Sequence, residues 1–319
     1  MVEPVAARYH LTHLLTRCGP YEVHAADDRW LHRSVALAFC RPRSAAEPEG
    51  ATPAQRAQFE AMGRAGVRIS HPRVADVYDL GRHEGALFVA FERPHADLTG
   101  ELASGPLDEA RLGRLAVGLA AAVDALHRAG ASHGHLHPGA VGIGADGGVR
   151  LTPWPVADTP PGWGGERAWQ PSERLVGEAP SVRSDVWSAG AVLLSAAIGA
   201  GPGSLADGEV GEVAERLRES LDPALVAAIG RAMSLDPTER YASASDLGLA
   251  LEAAAAGHGA EAAALAGSRR AMTPPAVRVR PLRRPAPGSG RRTWQGAVAA
   301  LAALSVPLVA LQIDSATAS

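Results

Sequence analysis

The chain has 319 residues, 46% of them apolar, which suits one large folded domain or two modest ones with a substantial core and excludes a disordered polymer. Eight arginines and no acid lie between Ser268 and Thr293, so the net charge of −3 hides a remaining body with 23 arginines against 33 acids, Asp314 in the tail set aside, and a body that negative argues against nucleic acid as a partner. Lysine and asparagine are absent throughout, which excludes any chemistry that needs a lysine amine or an asparagine amide.

Tyr9 to Leu15 and Tyr21 to Ala26 predict short strands around a turn, and Ser34 to Phe39, SVALAF, predicts a compact apolar strand. Pro53 to Arg68 has helix-forming composition with Thr52 as its N-cap. Val74 to Leu80 and Ala86 to Phe91 read as two further strands. From about Asp108 the pattern turns helical, with apolar residues at helical spacing in Leu112 to Arg128, Val186 to Gly199, Pro223 to Met233 and Ala244 to Ala256. A small β-rich lobe, residues 1–94, is expected to precede a larger helical lobe, residues 95–256. Cys18 and Cys40 lack CxxC spacing and any leader segment ahead of them, and read as reduced thiols in a cytosolic domain.

Two uncharged runs compete as membrane spans. The first, from Val186 towards Asp207, is broken by serines and a Gly-Pro-Gly end and is better explained as a buried core helix. The second, Thr293 to Ile313, offers 21 uncharged residues, roughly 30 Å of helix at 1.5 Å per residue and about one hydrocarbon thickness. A transmembrane helix is therefore expected over 294–313, followed by a short tail, 314–319, with a docked apolar helix as the open alternative because the run is alanine-rich and holds Pro307. The preceding Arg- and Pro-rich linker, 257–293, is a basic flank that keeps the large domain on the cytoplasmic side of a single-pass membrane protein. It reads either as a contact for anionic lipid heads or as a solubilising spacer.

Several strings carry a resemblance. SHPRVADVYDLG at Ser70 to Gly81, ALHRAGASHGHLHP at Ala125 to Pro138, QPSERL at Gln170 to Leu175, RSDVWSAGAVLL at Arg183 to Leu194 and DPTERYASASDL at Asp236 to Leu247 follow one another in order. Residues 9 to about 256 thereby resemble the bacterial serine/threonine protein kinases. The resemblance implies an α+β bilobal protein-kinase-like fold, to which the C-terminal transmembrane helix is added. It further implies that Asp185 ties down the catalytic-loop backbone and that Arg240 pairs with Glu173, both as scaffold residues.

Phosphoryl transfer in that family needs a glycine-rich loop over the phosphates, a lysine, an acid orienting it, a catalytic base and side chains holding magnesium. Matched position by position, the loop falls at Thr16 to Val23, TRCGPYEV, where Gly19 is the remnant glycine and Tyr21 adds bulk. Ala38 stands for the lysine and Met62 for the partnering glutamate, with Glu60 as a nearby alternative. His135 stands for the catalytic aspartate, Ala140 for the metal-holding asparagine and Pro153 for the magnesium-binding aspartate of a Pro153-Trp154-Pro155 string. Loss of a general base alone removes on the order of 10²–10⁴ in rate, so no catalytic residue, no ATP and no magnesium are expected. Between Val156 and Gln170, Thr159 is the only hydroxyl for phosphorylation.

Alternating His133, His135 and His137 also invite a metal reading, although no second cluster completes a coordination shell. Trp154, Trp163 and Trp169 read either as a partner surface or, for Trp154, as a plug in an emptied nucleotide cleft. Three functions follow: a non-catalytic signalling adaptor whose protein partner is an active kinase, a phosphoprotein or envelope machinery, an atypical active kinase, and a decayed relic without a partner.

Overall fold

A computed structural model describes residues 5–42, 50–159, 163, 166–201, 217 and 220–256. The N-terminal part is a five-stranded antiparallel sheet of order β1-β2-β3-β5-β4, built from Tyr9–Cys18, Tyr21–Asp28, Arg33–Cys40, Val77–His83 and Ala86–Glu92 in chain order. Strands β3 and β5 are central and apolar along most of their length because both faces of the sheet are covered. With side chains alternating every two residues, Ala36, Ala38, Leu87, Val89 and Phe91 join one cluster, while Val35, Leu37, Phe39, Phe88 and Ala90 join another with Tyr9.

Helix α1, Pro53–Arg68, crosses the first of these faces. Thr52 and Gln55 form a reciprocal capping box, with Pro53 at the first turn where its missing N–H costs nothing. Gly66 lets the helix lie close to β4, since a Cβ there would collide with Val77.

The expected strand at Val74 to Leu80 is displaced: β4 runs over Val77–His83. Val74 instead bridges Leu151 in parallel, with Ala75 N–H donating to the Leu151 carbonyl and Leu151 N–H to the Arg73 carbonyl. The backbone of residues 73–75 is spent on a tie to the second lobe, so it is lost to the sheet. Beyond it come β6 (Ala96–Asp97), α2 (Leu98–Leu102), α3 (Glu109–Arg128), β7 (Val141–Ile143), β8 (Val149–Leu151), α4 (Ser172–Leu175), α5 (Val182–Ile198), α6 (Pro223–Ala232) and α7 (Ala244–Ala255). Strands β6, β7 and β8 form a small second sheet.

Helix α5 is apolar all round and lies buried from Ser184 to Ala196, and Gly199 closes it in the left-handed conformation at φ 67°. The first uncharged run is thus a core helix. Among the described residues no helix is long and apolar enough to cross a membrane. The expected linker 257–293, span 294–313 and tail 314–319 all lie outside the described residues.

Candidate functional site: the interlobe cleft

The loop at His133 and Gly134 is organised by one carboxylate. Asp185, in the first turn of α5 and 1% exposed, accepts hydrogen bonds from His133 N–H at 2.7 Å, Gly134 N–H at 2.9 Å and His127 Nε2 at 2.8 Å. Gly134 takes a positive φ of 75° where the loop bends, with its Cβ position pressed against Pro180. A second tie lies farther back: the fully buried Arg240 side chain donates to both Glu173 carboxylate oxygens, at 2.5 and 3.1 Å, and to the Ser234 and Arg183 carbonyls. The bidentate geometry is what makes burial of this ion pair tolerable.

The three alternating histidines point to three different places. His133 is buried, its Nε2 lies 2.8 Å from the Thr152 carbonyl and its Nδ1 accepts from His135 N–H, which assigns the proton to Nε2 and occupies both nitrogens. His137 Nδ1 caps Gly139 N–H, and His135 Nδ1 meets the Cys18 thiol at 3.2 Å. Among the described residues no group of three or more His, Cys, Asp or Glu side chains is placed to hold a metal ion. Burial pushes the His133 imidazole below its ordinary value, and His24 and His71 shift the same way for the same reason. With the folded value below the unfolded one, about 6.5, unfolding takes up protons once the pH falls beneath that value. Stability should therefore decline from pH 7 to pH 5, with a slope of up to about 1.4 kcal/mol per pH unit per histidine until the folded state also protonates. Thermal melts across that range read it, and a flat profile would contradict the buried neutral imidazole.

The cleft itself is filled by side chains from both lobes. Gly19, at φ 55°, and Pro20 form a two-residue turn joining β1 to β2, a tight hairpin of the kind that needs a positive φ at its first central residue. Tyr21 follows at once, buried, with its hydroxyl donating to the Gln55 carbonyl. Its ring approaches His135 edge-on at 5.5 Å and Trp154 at 6.5 Å. Trp154, 2% exposed, packs on Phe59 of α1 at 4.4 Å and Phe91 of β5 at 6.2 Å. Ala38 and Met62 are buried in this same cluster, beneath the sheet, together with Val156 and Leu126 from the second lobe. Met62 faces inward from α1, as Phe59 does. Glu60 lies half-buried outside the cluster, paired with Arg64 one turn on.

The segment carrying Pro153 is held on both sides. Thr152 N–H donates to the Ala140 carbonyl, the Thr152 hydroxyl lies 2.7 Å from the Trp154 carbonyl and 3.0 Å from that of Ala140, and Val156 N–H donates to the Gly139 carbonyl. Ala140 is buried in the short helical turn Pro138–Ala140. At the outer end the Thr16 hydroxyl on β1 donates to Asp158. The Thr16–Asp158 and Cys18–His135 contacts join residues more than a hundred positions apart, and no local sequence signal marks them. The three tryptophans do not form one surface. Trp154 belongs to the interlobe cluster, whereas Trp169 is buried in the helical core with Trp163 stacked on it at 6.2 Å.

No protein-family model matches the chain. It is 29% identical over 263 residues to the serine/threonine-protein kinase PknD of Mycobacterium tuberculosis, covering 76% of this chain and 39% of that one. It is 27% identical over 266 residues to the serine/threonine-protein kinase PknE of Mycobacterium bovis (78% and 46%), and 26% identical over 299 residues to the probable serine/threonine-protein kinase SCO3848 of Streptomyces coelicolor (85% and 44%). The chain thus spans less than half the length of the curated relatives it matches. Among solved structures, a cysteine-to-alanine mutant of the Mycobacterium tuberculosis PknI kinase domain superposes with a TM-score of 0.61 at 20% identity, over 80% of this chain and 99% of that domain.

Proposed function

We propose that this chain, similar in sequence to bacterial serine/threonine-protein kinases and sharing the protein-kinase-like fold, is a pseudokinase, a signalling adaptor or allosteric scaffold that does not transfer phosphate. The observation that carries the reading is the interlobe cluster around Trp154, closed by Tyr21 from above and Phe59 from behind. In this reading those rings fill the space between the sheet and the second lobe and leave no room there for a nucleotide. Ala38, Ala140 and Pro153 offer neither cation nor carboxylate to a phosphate or a magnesium ion, and Asp185 is engaged with three donors. The residues present do not fit a magnesium–nucleotide complex.

In this reading the fold serves as a surface for a protein partner, an active kinase, a phosphoprotein or an envelope protein, and residues 294–313 anchor it in the cell membrane with the kinase-like domain on the cytoplasmic side. An active-kinase reading is favoured by the similarity to relatives named as kinases. Incubating the full chain in detergent with labelled ATP, with magnesium or manganese and a generic protein substrate, separates the two. No incorporation above a heat-inactivated control, and no thermal shift with millimolar ATP, is the expected result; metal-dependent incorporation would establish the active kinase instead.

A further inference from the structure

One broad concavity of the described residues lies away from the cleft. It is a trough of about 1410 Å³ between α3, the β7–β8 hairpin and the C-terminal end of α7. Its lining includes Gly113, Gly118 and Gly148, whose lack of a side chain lets Ala255, Val149 and Arg73 of the same domain pack close. Five carboxylates and three arginines line it. Arg111 is already neutralised by two hydrogen bonds to Glu101, at 2.7 and 2.9 Å, which leaves Asp108, Glu109, Asp146 and Asp222 against Arg73 and Arg114. Glu109, Asp146 and Asp222 accept backbone N–H groups, from Asp222, Gly148 and Ala224 respectively, and Asp146 lies at the long distances of 3.7 and 3.9 Å from Arg150 and Arg73. A carboxylate has about four acceptor sites, so each retains oxygen capacity for an added cation.

Ala254 and Ala255, the last turn of α7, form part of the wall. The chain therefore leaves the described domain at the rim of the trough. Thirteen residues beyond Ala256 begins the segment Arg269 to Arg292, with eight arginines, five prolines and no acid. A thirteen-residue tether spans about 20 Å as a coil and about as much as a helix. Tethering at that distance sets an effective concentration in the millimolar range, so a weak contact suffices for occupancy. Proline bias towards extended backbone lowers the ordering entropy of such a ligand.

We propose that the trough between α3, the β7–β8 hairpin and α7 is a docking site for the chain's own arginine-rich segment, residues 269–292. Guanidinium groups pair with Glu109, Asp146 and Asp222. The consequence is that the segment is withheld from anionic lipid heads whenever the trough holds it.

The absence of lysine makes trypsin an arginine-specific probe of this chain. The full chain in neutral detergent is digested beside a free peptide of residues 268–293, and cleavage after Arg270, Arg278, Arg283 and Arg291, none of them followed by proline, is monitored by mass spectrometry. Expected is cleavage at least about fivefold slower in the chain than in the peptide, a protection corresponding to about 1 kcal/mol. It should vanish in the Glu109→Gln/Asp146→Asn/Asp222→Asn variant, whose amide oxygens keep the three backbone bonds. It should also vanish for the unaltered chain in about 1 M salt, where the Debye length is about 3 Å. Equal rates in chain and peptide at low salt overturn the proposal. Protection that appears only with anionic vesicles assigns the segment to lipid, and protection that grows with protein concentration assigns the trough to a second copy; either result overturns it too.

Discussion

Replacing Asp185 with alanine is expected to destabilise the protein by about 4 kcal/mol, the sum of leaving two loop amides without an acceptor at about 1–3 kcal/mol each and losing the His127 contact. The bond from His133 N–H is buried and that from Gly134 N–H half-buried, so water cannot freely replace the lost carboxylate. Asp185→Asn should cost less, about 2 kcal/mol, because an amide oxygen still accepts from one of them while its NH2 group opposes the other donors. Urea unfolding followed by tryptophan fluorescence measures both, with Trp187 two positions along α5 as a reporter of the core. If the alanine variant unfolds at the same urea concentration as the parent, Asp185 does not organise the loop.

Trp154→Ala is expected to cost about 3–5 kcal/mol, the range for removing a buried aromatic side chain and leaving the cavity partly open. The ring is 2% exposed and touches Phe59, Phe91 and Tyr21, so its neighbours come from α1, β5 and β2 and cannot all collapse towards the gap together. The space left is apolar, and apolar cavities of that kind stay dry and accept small aromatic molecules. Indole should therefore restore part of the lost stability in the variant and leave the parent unaffected. A cost below about 1 kcal/mol, too little for a buried aromatic, would mean that the cleft is not closed by packing, and the adaptor reading would lose the observation on which it rests.

The two substitutions bear on different links. Asp185 acts on the backbone of the loop at His133 and Gly134 and keeps that loop in shape. Trp154 acts on the packing between the sheet, α1 and the second lobe. A scaffold with an ordered loop and a packed cleft presents a fixed surface, the property a protein-binding adaptor needs. The Thr16–Asp158 and Cys18–His135 contacts add to this by holding the β1–β2 hairpin down on the second lobe.

Much of the fold was legible in the residues. The alternation in β3 and β5, the Thr52 cap of α1 and the long apolar α5 are local signals, set by side-chain period and by the unpaired amides of a helix start. The matching of Ala38, Ala140 and Pro153 to the family's working positions is an expectation carried by the resemblance alone, since an alanine or a proline carries no signal of what it replaces. The displacement of β4 was not legible, because the pull of Leu151 on residues 73–75 comes from a strand more than seventy positions away. Nor was the fate of Trp154, which the sequence left equally as a surface residue or a plug.

By itself the sequence determined the order of a β-rich and a helical lobe, the absence of any lysine or asparagine chemistry, and the concentration of positive charge in residues 269–292. Composition and short-range period suffice for these, because each is a property of residues within a few turns of one another. Tertiary structure decided which side of α1 faces inward, so that Met62 and not Glu60 sits beneath the sheet. It also decided that Tyr21, Phe59, Phe91 and Trp154 meet, and that acids from α3, the β7–β8 turn and the cap of α6 line one trough beside the end of α7. Those are contacts between distant segments, and what selects them is the burial of apolar surface over the whole domain.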